Sequence, residues 1–216
     1  MPALEMEQGT EEWFAARCGR ITASRISDIL ATVKSGEAAS RRNYRAELVC
    51  ERLTDTWQER YTSPEMKWGT EQEPNARFAY EMRLGVVVRK VGFVVHPEYE
   101  WTGASPDGLV GEAGMVEIKC PNTATHFATW RGSKIKGAYY AQMQWNLACS
   151  GRAWCDFVSY DPRVKTDALQ LYVERVQRDD AWIEGAMSQV IAFHRQVDAE
   201  ITELVVLAKN SRGDTQ

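Results

Sequence analysis

The sequence predicts an α/β fold, a central mixed β-sheet flanked by α-helices. Three observations point there. Apolar residues recur at helical spacing near both ends of the chain, from Trp13 to Leu53 and from Ile183 to Val205. The middle, and again residues 153–176, hold short β-branched and aromatic runs broken by Gly, Pro and Asp. The resulting order of helices, strands, helices, strands and helix suggests a sheet covered by helices. With 216 residues, 44% of them hydrophobic, the chain is long enough for one substantial core. A single domain over residues 1–208 is expected, with a disordered tail at 209–216.

Each element has its own signal. Thr10, with Glu11 and Glu12 behind it, marks the start of a helix carrying Trp13, Phe14 and Arg17, and Gly19 fits its end. Thr22 or Ser24 caps a second helix that turns Ile26, Ile29 and Leu30 inward. Residues 32–42 read as a mobile polar loop, 43–57 as a helix with Leu48, Val49 and Leu53 on one face, and 58–67 as irregular. A helix from Trp68 ends at Gly85. Extended segments follow at 86–97 and 100–110, then a strand at 114–120, helices at 122–131 and 134–149, and strands "AWCDFVSYD" and "LQLYVERV". Asp179 or Asp180 opens a long final helix.

Composition excludes several classes. A net charge of −4 rules out a uniformly basic nucleic-acid coat and leaves room for a local basic groove. Five Cys, an odd number without a CxxC, argue against a disulfide framework or a zinc site and place the chain in a reducing cytoplasm. The three His lack metal-ligand spacing. The N-terminus has no charged and apolar regions of a signal peptide, and no apolar run is long enough to span a membrane.

The stretch "SPDGLVGEAGMVEIKCP", residues 105–121, carries candidate chemistry. Alternation puts Glu117 and Lys119 on one face and turns Ile118 to the core. Asp107, at the preceding turn, approaches Glu117 if strands 101–106 and 113–119 are neighbours. Two adjacent carboxylates repel unless a cation lies between them, and oxygen ligands suit Mg²⁺ or Mn²⁺. A lysine beside them can position a water or steady a phosphate. The set outlines metal-assisted phosphodiester hydrolysis. Glu-x-Lys on a strand is also an ordinary solvent-face pattern, and Pro-Asp-Gly an ordinary turn, so this stretch alone leaves both readings open.

Three further stretches, in order, are "WFAARCGRITAS" (13–24), "WGTEQE" (68–73) and "AYYAQMQWNL" (138–147), followed by "YDPRVK" (160–165). With the opening stretch they resemble the phage lambda exonuclease family, the YqaJ-type viral recombinase exonucleases. The resemblance implies a restriction-endonuclease-like core of the PD-(D/E)xK superfamily. It implies a processive 5′→3′ exonuclease that degrades one strand of linear duplex DNA from 5′-phosphorylated ends and leaves 3′ overhangs for single-strand annealing recombination. Asp107, Glu117 and the carbonyl of Ile118 would bind two Mg²⁺ ions, replaceable by Mn²⁺. Lys119 would orient the attacking water, with Glu73 and Gln142 completing the site. Arg17, Ser24 and Ser105 would hold the 5′-phosphate, Met66 would split the terminal base pairs, and Lys34 would reach DNA. A homotrimeric ring, an annealing-protein partner and a phage or prophage origin in the bacterial cytoplasm come with it.

Each residue keeps a plainer reading. Glu73 fits a capping box with Thr70, with Pro74 in the first helical turn. Arg17 fits a solvated helix position, Ser24 a cap, Gln142 a polar helix face shared with Asn146, and Met66 ordinary packing. Arg41, Arg42 and Arg45 form a basic cluster that is either solvated surface or a phosphate contact. A structure- or site-specific endonuclease on the same core and an inactive DNA-end-binding module stand as rival functions; the intact Asp107, Glu117 and Lys119 set argues against the latter.

Overall fold

Helices begin where capping chemistry allows and strands where β-branched residues can pair. The computed structural model describes residues 6–58 and 62–213. Thr10 caps α1 (Glu11–Arg17) through its hydroxyl, and β1 (Ile21–Thr22) and α2 (Ile26–Ile29) follow. Next come α3 (Ala39–Thr54) and α4 (Pro64–Leu84). Four short strands, β2 (Val88–Arg89), β3 (Val94–Val95), β4 (Thr102–Ala104) and β5 (Gly108–Val110), lead to β6 (Gly114–Lys119). Then α5 (Thr123–Trp130), α6 (Gly137–Ser150), β7 (Trp154–Tyr160), β8 (Leu171–Gln177) and α7 (Asp180–Gly213) complete the chain.

Among the described residues the strands form two sheets, ordered β2-β5-β6-β7-β8 and β1-β4-β3. In the larger sheet β6 and β7 run parallel, linked by the crossover through α5 and α6, and the other pairs are antiparallel. One core lies on the α6 face, where Met115, Phe157, Trp145 and Leu147 meet α2, α3 and α7. A second lies on the opposite face, where Val116, Ile118 and Val158 meet Ala76 and Tyr80 of α4.

Several boundaries depart from the sequence reading. Ile21 and Thr22 pair with β4 before the second helix starts, a strand too short to leave a pattern. α3 begins at Ala39, four residues early, because its N-cap, Ala38, carries no side-chain cap to read. α4 begins at Pro64 in the stretch expected to be irregular: the Ser63 hydroxyl accepts from Met66 N, and Pro64 fills the first turn. Each extended segment splits between the two sheets. The final helix continues to Gly213, past the expected domain end at 208. Arg41 and Arg45 tie α3 to its neighbours: Arg41 pairs with Glu37, and Arg45 with Glu37 and, at 2.5 Å, with Glu200 of α7.

Candidate active site

β6 is the centre of the larger sheet, and its end carries the chemistry. Gly108 pairs with Val116, so the residue before it, Asp107, lies across from Glu117. The strand that delivers Asp107 is therefore β5, not the 101–106 segment expected, which belongs to the other sheet. Gly108 is required there, because a Cβ would lie 2.1 Å from Val88 Cγ1. Ile118 N donates to Asp107 Oδ2 at 2.6 Å. The N–H and C=O of one residue leave a strand on the same edge, so the Ile118 carbonyl faces Asp107 as well. Its side chain packs in the α4-side core, as alternation predicts.

Lys119 Nζ donates to Glu117 Oε1 at 2.5 Å and lies 5.1 Å from the centre of the Tyr139 ring. Glu117 is fully buried. Burial pushes the Asp107 carboxyl well above the usual carboxylate range, Glu117 and Glu73 push it further, and Lys119 opposes them. Burial works to lower the Lys119 ammonium, but Glu117 and Asp107 outweigh it and hold its pKa above the ordinary value. Two carboxylates thus share one ammonium.

Two helices bring in further groups. Glu73 sits inside α4, not in a capping box: the Thr70 hydroxyl donates back to Met66 O, and Glu73 accepts from Arg77 Nη1 at 3.1 Å. The same Arg77 nitrogen reaches Asp107 O at 3.4 Å, joining α4 to the strand. Pro74, in mid-helix, has no N–H for Thr70 O. Thr70, Glu73, Pro74, Arg77 and Asp107 line one cleft. Met66, seven residues before Glu73 and so on the same helix stripe, is 57% exposed. On α6, Asn146 Nδ2 donates to Glu117 Oε2 at 3.0 Å. Gln142 lies between Tyr139 and Asn146 at helical spacing, on the face turned to Lys119 and Glu117. Asn146 Oδ1 is buried without a hydrogen bond among the described residues, which costs about 1–3 kcal/mol.

α1 supplies a separate pocket. Trp13 Nε1 donates to Ser105 Oγ at 2.9 Å, and Arg17 Nη1 donates to the same oxygen at 3.2 Å. The Arg17 guanidinium stacks over Trp13, 4.1 Å from the ring centre, and is buried rather than solvated. With both Ser105 lone pairs taken, its hydroxyl hydrogen is left to donate, as an anion requires. Trp13 also lines the cleft that holds Asp107 and Glu73, so one wall of the pocket borders that cleft. Ser24 is exposed, 3.4 Å from the Thr22 hydroxyl, and Lys34 is exposed in the segment before α3; no contact among the described residues brings either to the site. The "YDPRVK" stretch is structural here: Arg163 binds Asp161 at 2.7 Å and stacks over Trp68 of α4.

Among the described residues no group of three or more His, Cys, Asp or Glu side chains is arranged to hold a metal ion. The donors at hand are the Asp107 and Glu117 carboxylates and the Ile118 carbonyl. They fit a hard divalent cation: all are oxygens, and such an ion would offset the burial and the neighbouring Glu117 charge that raise Asp107.

The model of the YqaJ-like viral recombinase domain matches residues 12–153. The chain belongs to the YqaJ-like viral recombinase domain family. Among solved structures it is similar to an alkaline exonuclease, LHK-Exo from Laribacter hongkongensis, at 49% identity and a TM-score of 0.85, over 93% of this chain and 99% of that one. The same enzyme in complex with dAMP matches at 0.86. A phage-related exonuclease from Haemophilus somnus 129PT shares the fold at 18% identity and a TM-score of 0.69, over 86% of this chain and 96% of that one. No curated protein matches. The fold is the restriction-endonuclease-like α/β core expected from the sequence.

The candidate site contains groups that sequence reasoning did not assign to it: Trp13, Arg77, Tyr139 and Asn146. Each lies three or four helical residues from one that was assigned, namely Arg17, Glu73 or Gln142. That spacing was the available signal.

Proposed function

We propose that this chain is a Mg²⁺-dependent, processive 5′→3′ exonuclease that degrades one strand of linear double-stranded DNA from 5′-phosphorylated ends and leaves 3′ single-stranded overhangs. Family membership and the likeness to an alkaline exonuclease make it a nuclease acting on DNA. The observation that carries the finer reading is the single cleft shared by the Asp107 region and the Trp13 side of the Arg17–Ser105 pocket. Arg17 and the Ser105 hydroxyl hold a terminal phosphate with charge-assisted bonds, which sets polarity by counting from the 5′ end. Asp107, Glu117 and the Ile118 carbonyl hold two Mg²⁺ ions, with Mn²⁺ as substitute; bound there, the metals lower the pKa of water and neutralise the leaving oxygen. Lys119 orients the attacking water, with Glu73 and Gln142 beside it. Ser24 and Lys34 contact DNA, and exposed Met66, in line with Glu73, wedges the end open.

The reading extends to a homotrimeric ring, which encloses DNA and explains processivity. The exposed apolar side chains of Phe78, Met82 and Val87 offer surface for such self-association. A single-strand annealing protein receives the 3′ overhang in the bacterial cytoplasm. All five cysteines are free, and no helix among the described residues is long and apolar enough to cross a membrane.

The test is a time course on linear duplex labelled at either end, with and without Mg²⁺, beside closed circular duplex. Early release of the 5′ label only with Mg²⁺, and an intact circle, are expected. Cutting of the circle would sink the exonuclease reading in favour of an endonuclease; end binding without nucleotide release would leave a binding module.

A further inference from the structure

We propose that Asn146 is a positioning residue that fixes the Glu117 carboxylate for a divalent cation. The inference rests on the metal-dependent nuclease reading and adds a residue to it. Glu117 is fully buried and held at both oxygens: Lys119 Nζ at Oε1, 2.5 Å, and Asn146 Nδ2 at Oε2, 3.0 Å. The two restraints come from different elements, one from β6 itself and one from α6, so together they stop the carboxylate from turning about its own axis. A carboxylate only accepts hydrogen bonds, so the amide must present its N–H₂ to Glu117 and its orientation follows from chemistry.

On the face of α6 that Asn146 shares, Met143 and Cys149 are apolar and buried, while Gln142 and Ser150 lie one turn away on either side. Asn146 is itself fully buried, and its Oδ1 has no hydrogen-bond partner among the described residues. An amide kept there with one end unsatisfied is explained by what its other end holds. Neutrality matters as well. A second ammonium or guanidinium at Oε2 would cancel the charge that draws a cation, whereas an amide restrains Glu117 and leaves its charge in place. Asn146 touches neither substrate nor reacting atoms; it acts through Glu117.

The test uses Asn146→Leu, similar in volume and without a donor, and Asn146→Ser, smaller and still a donor. Three quantities are read on the whole chain: the Mg²⁺ midpoint from Mg²⁺-induced thermal shift without DNA, the rate of nucleotide release against Mg²⁺ concentration, and binding of 5′-phosphorylated duplex in EDTA. For Asn146→Leu the Mg²⁺ midpoint should rise at least tenfold by both readouts, excess Mg²⁺ should recover part of the rate, and end binding should be unchanged. Asn146→Ser should shift the midpoint the same way by less, and it decides alone if the leucine variant does not fold. A purely structural role predicts a lower melting temperature with the midpoint in place. A midpoint within twofold of wild type in a folded leucine variant, or no shift at all in the serine variant when it decides alone, overturns the proposal. Wild-type protein that neither responds to Mg²⁺ nor releases nucleotides overturns the nuclease reading, and this inference with it.

Discussion

Two buried acidic clusters sit on opposite faces of the same sheet, and they are built on opposite principles. On the α4 face Asp156 is saturated: Arg175 grips it through both oxygens at 2.8 and 2.9 Å, and Tyr80 donates to Oδ2 at 2.7 Å. One carboxylate meets one guanidinium, which is further stacked 3.5 Å over Trp154. On the α6 face Asp107 and Glu117 meet one ammonium, and Asp107 is held above its ordinary pKa. The first cluster is complete as folded. The second sets two carboxylates against one ammonium, with Asp107 raised by burial and by Glu117, and perturbation of that kind is what makes it the candidate site.

The comparison can be broken by substitution. The largest effect is expected at Lys119→Ala, which should lower cleavage by about 10³–10⁴-fold while DNA-end binding persists. Near-normal turnover, measured on end-labelled duplex, would remove Lys119 from the site. Asp156→Ala should do the reverse: leaving Tyr80 and Arg175 without their partner should cost about 3 kcal/mol, roughly 6–12 °C in melting temperature, with turnover per folded molecule unchanged. An unaltered melting curve would deny that cluster a structural role.

Arg17 lies on the side of the candidate site, stacked over Trp13 and donating to Ser105. Arg17→Ala should reduce the preference for 5′-phosphorylated over 5′-hydroxyl ends by about 10–100-fold, the weight of a charge-assisted contact. Competition between the two substrates measures it, and an unchanged ratio would put the phosphate pocket elsewhere. The smallest effect is also the sharpest. Asp107→Asn keeps an oxygen to accept from Ile118 N yet removes one repelling charge, so in metal-free buffer it should raise stability by about 1 kcal/mol, roughly 2–4 °C, while abolishing cleavage. Mg²⁺ should stabilise the wild type and leave this variant unmoved. A lower melting temperature for Asp107→Asn would show that the cluster is not strained.

Much of the site was legible in the sequence because strand alternation alone places Glu117, Ile118 and Lys119, and the structure keeps that arrangement. The long helices were legible for the same reason: period and caps are local. What was not legible is pairing. Nothing within 100–110 says that Thr102–Ala104 and Gly108–Val110 enter different sheets, so the sequence reading misplaces the partner of β6, although Asp107 does lie across from Glu117. The capping-box reading of Glu73 fails because Pro74, a usual first-turn signal, here sits in the helix interior. Asn146 reads as one residue of a polar face, because its contact with Glu117 depends on how α6 packs against β6, which no local pattern encodes.

The parallel pairing of β6 with β7 has a consequence for synthesis. Emerging from a ribosome, the chain presents Asp107, Glu117 and Lys119 well before α6 and β7 exist. Until those arrive, β6 has one bare edge and Glu117 has no amide above it. The cleft is finished only when α6 has docked and β7 has closed the sheet. A truncated or half-made chain would thus carry the candidate residues without the candidate site.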